Sequence, residues 1–222
     1  MEEDEGEYEI LIKLVILGDV SVGKSNFLFR FVDGQFNPVH VATVGFDFKS
    51  RICEIQNLKK KVKFQIWDTA GQEKYMSINK NLFQRVQGII LMYDISKEDS
   101  FLNLDKWLQN IKENSNECPL ILIGNKSDLI KERKISKEQG ENFAKKNNII
   151  FLEASAKNGF NVEKSFLKLG EIICNKNENA LDKMNKTEYV ISKNTTLIKN
   201  KKKKIKKIVV EPHIINIIIN YY

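Results

Sequence analysis

A glycine loop set between a buried strand and a helix constrains this chain more than any other feature. Residues Gly18-Asp19-Val20-Ser21-Val22-Gly23-Lys24-Ser25 fit the pattern G-x-x-x-x-G-K-[ST]. The apolar run Leu14 to Leu17 before it reads as a buried parallel strand, and Phe27, Leu28 and Phe31 after it fall at helical spacing. In a strand–loop–helix of this kind the backbone N–H groups wrap phosphate oxygens, here through Ser21, Val22, Gly23, Lys24, Ser25 and Asn26. Glycines at 18 and 23 permit backbone angles and close approaches that a Cβ would hinder, and the new helix turns its unpaired N–H groups and positive dipole end toward the anion. Lys24 is placed to reach the β- and γ-phosphates, and the Ser25 hydroxyl to ligate Mg²⁺.

That loop does not choose a base, and by itself it leaves adenylate kinases and ATPases open. The choice falls to Asn125-Lys126-Ser127-Asp128, which ends the apolar run Leu120 to Gly124, where an α/β sheet places its ligands. A carboxylate accepts two hydrogen bonds from guanine N1–H and the exocyclic amine, a donor pair that adenine lacks on that edge. Asp128 is assigned that role, the Lys126 stem the purine face, and Asn125 the tie back to the phosphate loop. Ile149 to Leu152 reads as the last strand, and the turn Ser155-Ala156-Lys157 after it offers N–H groups to guanine O6. The ligand expected is GTP or GDP.

On these residues the chain resembles the small GTPases of the Ras superfamily, and within it the Rab family, over about residues 10 to 175. Thr43-Val44-Gly45-Phe46-Asp47-Phe48 is similar to the Rab effector-loop signature. Phe64 to Asp68, Ala70-Gly71-Gln72-Glu73-Lys74-Tyr75 and Tyr93-Asp94-Ile95-Ser96 match their counterparts. The stretch 129–148 is too short for the helical insert usual in Rho-type relatives. The resemblance implies an α/β, P-loop NTPase fold: a mostly parallel six-stranded sheet flanked by helices on both faces. It also implies roles. Thr43 completes the Mg²⁺ shell when a γ-phosphate is present, and Asp68 holds Mg²⁺ through water. Phe36 packs on the guanine edge, the Gly71 N–H bonds the γ-phosphate, and Gln72 orients the attacking water. Hydrolysis is then slow and dependent on an activator's arginine, and the two loops loosen when the γ-phosphate leaves. An exchange factor, a GTPase-activating protein and effectors are the implied partners, with the protein a monomer.

Two positions depart from the family pattern. Val20 stands where relatives carry a small residue, close to where Gln72 and an incoming arginine converge, so a GTP-bound scaffold that rarely hydrolyses is the alternative reading. Leu82-Phe83-Gln84-Arg85-Val86 replaces the family's Tyr-Tyr-Arg-Gly-Ala in a partner-contacting region, so partner choice does not carry over.

Composition and charge agree with one domain and an extension. Phe101, Leu104, Leu108 and Ile111 share one helix face, and Val162, Phe166, Leu169 and Ile173 another; alternating with apolar runs, they point to a parallel sheet covered on both sides. Residues 1–9 form an acidic arm without a signal-peptide stretch or a glycine at position 2. Three scattered cysteines and two histidines argue against zinc clusters and disulfides and suit a reducing cytoplasm. From residue 176 onward, eleven lysines face Glu178, Asp182, Glu188 and Glu211, a surplus of seven equal to the whole chain's +7. Seven of those lysines fall between Lys199 and Lys207. Such a block suits an anionic membrane surface, at about 1 kcal/mol per lysine; nuclear import or nonspecific RNA binding would use it too, though nucleic acid is not the expected partner. The tail 176–222 is expected to be disordered. Relatives end in prenylated cysteines, whereas the last cysteine here is Cys174 and the final run is isoleucine-rich. Glu211 and Pro212 keep that run far short of the about 20 residues a membrane span needs. The expectation is a cytoplasmic protein, peripheral on endomembranes, held by the lysines and the isoleucines together.

Overall fold

The computed structural model describes residues 7–38, 46–69, 83, 85–115 and 118–176. The chain divides into two units, Met1–Cys174 and Asn175–Tyr222, and the first carries the fold. Its strands are β1 (Ile10–Leu17), β2 (Phe46–Ile55), β3 (Lys60–Thr69), β4 (Gly88–Asp94), β5 (Leu120–Asn125) and β6 (Ile150–Glu153). Its helices are α1 (Lys24–Asp33), α2 (Glu98–Leu102), α3 (Leu104–Asn114) and α4 (Lys137–Asn147), followed by α5, which begins at 162 and continues past the unit's last residue, Cys174, to 176. The strands form one six-stranded sheet in the order β2-β3-β1-β4-β5-β6, all parallel except β2, which returns as a hairpin on β3. This is the fold class the sequence implied.

The sheet sorts its side chains by parity. Ile12, Leu14 and Ile16 of β1 join Val62, Phe64 and Ile66 of β3 on one face, under α1 and α5. Val15 and Leu17 join Ile89, Leu91 and Tyr93 on the other, under α3 and α4. Successive strand residues point to opposite faces, and helices cover both, so each strand reads as a continuous apolar run. The α1–α5 layer is locked by aromatic rings: Phe31 stacks on Phe166 at 3.9 Å between centroids and meets Phe64 edge-on at 5.9 Å. The predicted face Val162, Phe166, Leu169, Ile173 is buried throughout.

The other predicted face is organised differently. The helical turn breaks at Asn103, whose N–H caps α2 on Asp99 O while its own carbonyl accepts from Trp107 N. Phe101 therefore belongs to α2 and packs edge-on against Tyr93 at 5.1 Å. Leu104, Trp107, Leu108 and Ile111 form the buried stripe of α3. Helix α4 starts where the sequence supplies a reciprocal cap, Ser136 Oγ accepting from Gln139 N and Gln139 Oε1 from Ser136 N.

The parallel register brings the C-terminal ends of β1, β3, β4, β5 and β6 to one edge, with Asp94 beside Asn125 and Gly124 beside Glu153. Neighbouring connections part to opposite faces beside β1, which opens the crevice where such sheets bind ligands.

Candidate functional site

The loop after β1 fills that crevice. Gly18 has φ +139° and lies so close to β4 that a Cβ there would sit 2.2 Å from the Met92 carbonyl oxygen. Gly23, at φ +97°, is the N-cap of α1; it provides no side-chain cap, and no acidic residue lies in the first helical turn. The helix thus begins with no side chain capping it and with an uncompensated positive dipole end, a ready anion site. Lys24 is buried, and its ammonium donates to the Gly18 and Asp19 carbonyls, both at 2.8 Å. Burial pulls its pKa down to about 8, against the opposing pull of the Asp68 and Asp19 carboxylates.

Side chains from the ends of β4 and β5 fasten this loop. Asn125, 1% exposed, donates from Nδ2 to Val22 O at 2.8 Å and accepts at Oδ1 from Ala156 N at 3.3 Å, joining three loops. Lys126, at φ +64°, donates to Ser21 O at 2.8 Å and pairs with Asp94 Oδ2 at 2.7 Å. Asp94 is fully buried, and its other oxygen accepts from Ser96 N and Oγ. The Lys126 head is therefore pinned, which leaves its stem along the pocket wall. Asp128 Oδ1 accepts from Ser155 Oγ, so its carboxylate is aimed before any ligand arrives. Arg30 of α1 donates to the Ala156 and Lys157 carbonyls at 2.8 and 2.7 Å, holding the β6 turn in place.

A cavity of about 230 Å³ opens among these groups. Ser21, Gly23, Asn26, Phe36, Asn125, Lys126, Asp128, Ala156 and Lys157 line it, nine residues the sequence singled out as nucleotide contacts. A wider groove of about 700 Å³ between β2 and α5 holds no such set of loop donors and a base-reading carboxylate. Ser25 stands at the second residue of α1 and Asp68 is buried near the end of β3. Ser155 is buried with its hydroxyl on Asp128 and its N–H on Phe160 O at 3.0 Å, so, contrary to the sequence expectation, it has no N–H to offer guanine O6. Thr43, Gly71 and Gln72 lie outside the described residues, as do Leu82, Gln84 and Lys199 to Lys207. Phe83 is buried beside Val86, and Arg85 is exposed.

A sequence model described as the Ras family matches residues 13–175. The chain belongs to the Ras family. Among the proteins this GTPase resembles, Ras-related protein Rab-10 of Diplobatis ommata is 45% identical over 170 residues, 76% of this chain and 84% of that protein. Ras-related protein Rab-15 of Rattus norvegicus is 41% identical over 177 residues, 79% and 82% of the two chains. Ras-related protein SEC4 of Candida albicans is 44% identical over 167 residues, 75% and 79%. The chain is a Rab-like small GTPase that binds guanine nucleotide and hydrolyses GTP.

Sequence reasoning did not single out four groups of this GTPase's site. Asp94 and Arg30 act by holding Lys126 and the β6 turn, and Asn103 and Trp107 contact the phosphate loop from α3. A carboxylate at the last position of an apolar strand was the available signal for Asp94, because a buried charge needs a partner.

Proposed function

We propose that this GTPase is a switch regulating membrane traffic, with residues 10–175 as its working domain. The carrying observation is the junction at Asn125, where the base-reading loop, the phosphate loop and the β6 turn are tied around one cavity. Such a site reads a base and a polyphosphate together. Asp128, aimed by Ser155, accepts from the guanine edge; Phe36 and the Lys126 stem cover the ring; Ala156 and Lys157 present the turn to O6. At the other end Lys24 exchanges the Gly18 and Asp19 carbonyls for phosphate oxygens, and the α1 N–H groups complete the cradle.

Mg²⁺ fits the donor set. Ser25 and Asp68 offer hard oxygens, and among the described residues no cluster of three His, Cys, Asp or Glu exists that would take a softer metal. When bound with the nucleotide, Mg²⁺ neutralises charge on the β- and γ-phosphates. In hydrolysis, water oriented by Gln72 forms a bond to the γ-phosphorus as the bond to the β-bridging oxygen breaks. Lys24 then stabilises charge on the departing GDP, and the water's protons end on phosphate. Thr43 and Gly71 lose their γ-phosphate contacts, and that release is the signal. On the outer strand pair, Phe48 lies 5.3 Å from Trp67 and is 48% exposed, an apolar surface suited to an effector.

A hydrolysis-impaired scaffold is the second reading, favoured by Val20, whose side chain stands 49% exposed on the rim of the phosphate loop. Single-turnover hydrolysis of wild type and Val20→Gly separates the two: the scaffold reading requires the variant to be faster, and equal rates remove it. No helix among the described residues is long and apolar enough to cross a membrane. Attachment on the cytoplasmic face is assigned to Lys199–Lys207, as a monomer. Co-sedimentation with vesicles containing and lacking anionic lipid tests this, and binding indifferent to lipid charge rejects it.

A further inference from the structure

Asn125 and Lys126 hold the phosphate loop at Val22 and Ser21 and Lys24 holds it at Gly18 and Asp19, while its first bend is also held from α3. Asp19 points its carboxylate away from the cavity toward α3. Its Oδ1 accepts from Trp107 Nε1 at 2.8 Å, and its Oδ2 accepts from Asn103 Nδ2, also at 2.8 Å. Asn103 and Trp107 are one turn apart, so their donors project from one side of the helix. Lys106 Nζ donates to Asn103 Oδ1 at 3.1 Å, which fixes the amide with its N–H group toward the loop. Trp107 is buried in the α3 core stripe, so its indole cannot swing away without opening that core. The same Asp19 gives its backbone carbonyl to Lys24 Nζ. One residue therefore links α3 to the lysine that grips phosphate.

We infer that Asn103 and Trp107 are positioning residues for nucleotide binding, a two-donor clamp that holds the Asp19 carboxylate off the phosphate site and fixes the first bend of the phosphate loop. The physical need is plain: a carboxylate on a loop that must receive two or three phosphates repels them unless it is turned away and its charge satisfied. Charge-assisted hydrogen bonds from two neutral donors do both, at a position where a lysine or arginine would compete with Lys24 for the nucleotide. The inference rests on this GTPase binding GDP at the site described.

The test reverses the polarity of one bond. In Asn103→Asp two carboxylates face each other, and Asp19 is pushed toward the phosphates. In Asp19→Asn one amide N–H group faces a donor. In the double variant Asp19→Asn/Asn103→Asp the new amide donates to the new carboxylate and still accepts from Trp107, so every group is satisfied again. Release of a fluorescent GDP from the Mg²⁺-loaded full chain is the readout. Asn103→Asp is expected to release GDP about tenfold faster or more, as loss of one charged hydrogen bond implies, with Trp107→Phe faster by several-fold. The double variant is expected to return to within about threefold of wild type, a recovery that mere damage to α3 would not produce. If Asn103→Asp does not fold, a double variant that folds and retains GDP normally is the same rescue. A wild type that binds GDP while Asn103→Asp stays within twofold of it, or a double variant no better than its worse parent, overturns the clamp alone. A wild type that fails to bind GDP overturns both the clamp and the nucleotide site beneath it.

Discussion

Replacing Asn125 with alanine removes the knot of the site without touching the ligand's phosphates. Two buried backbone groups lose their partner: the Val22 carbonyl, bonded at 2.8 Å, and the Ala156 N–H, bonded at 3.3 Å. Both residues are buried, so water replaces neither bond unless the loops part. An orphaned buried group costs about 1–3 kcal/mol, and the longer bond belongs at the low end, so the sum is about 3–4 kcal/mol. If the loops stay closed, the whole loss appears in unfolding; if they part to admit water, it moves into nucleotide affinity as two to three orders of magnitude, at about 1.4 kcal/mol per tenfold. Unfolding of the GDP-saturated protein by urea registers both parts, because a ligand that binds only the folded state adds its binding to the stability. The expected fall is about 3–4 kcal/mol at fixed GDP. Asn147→Ala serves as the comparison, since Asn147 Nδ2 donates to Phe143 O within one helix and joins no loops; its fall is expected to stay under about 1 kcal/mol. A loss below about 1 kcal/mol for Asn125→Ala would refute the reasoning.

Lys24, lowered to about 8 by burial in the free site, regains its proton against phosphate, so nucleotide affinity is full below about pH 8 and declines as pH rises above it. Calorimetry at pH 8.5 in buffers of different ionisation enthalpy should record uptake of about three quarters of a proton per GDP, and uptake near zero would contradict the assignment. Ser21 sits at φ +64°, where a β-branched side chain is strained. Ser21→Val should lower thermal stability by about 1–2 kcal/mol while Ser21→Gly does not lower it, and equal effects would count against a strained turn. Phe166→Ala opens the stack on Phe31 and Phe27. Denaturant titration should show about 3–5 kcal/mol lost, and a loss under about 1.5 kcal/mol would mean the ring is not core.

Much of this was legible because the same residues serve pattern and chemistry. The strand Leu14–Leu17, the glycines at 18 and 23 and the run into Asn125 announce a sheet edge with a ligand, and the register places them there. Strand ends were harder: β1 and β3 run beyond their apolar stretches because ladder hydrogen bonds do not depend on hydrophobicity. The break at Asn103 left no periodic trace, since Phe101 keeps apolar spacing with Leu104 and Leu108. Trp107 was not singled out at all, for periodicity registers a ring's apolar body and not the direction of its N–H group. Asp94 and Arg30 found their partners across the fold, Arg30 at a separation of more than a hundred residues, and no local pattern encodes that.

The central claim is that Asp128 selects guanine while the loop around Lys24 holds the phosphates. Calorimetric titration of the purified chain with GTP and with ATP, Mg²⁺ present, tests both halves in one experiment. The account predicts saturable binding of one GTP and at least a hundredfold weaker binding of ATP, since a donor pair lost at a partly buried carboxylate that the bound base covers is worth about 3 kcal/mol. Equal affinity for the two nucleotides, or no binding of either at micromolar concentration, would contradict it.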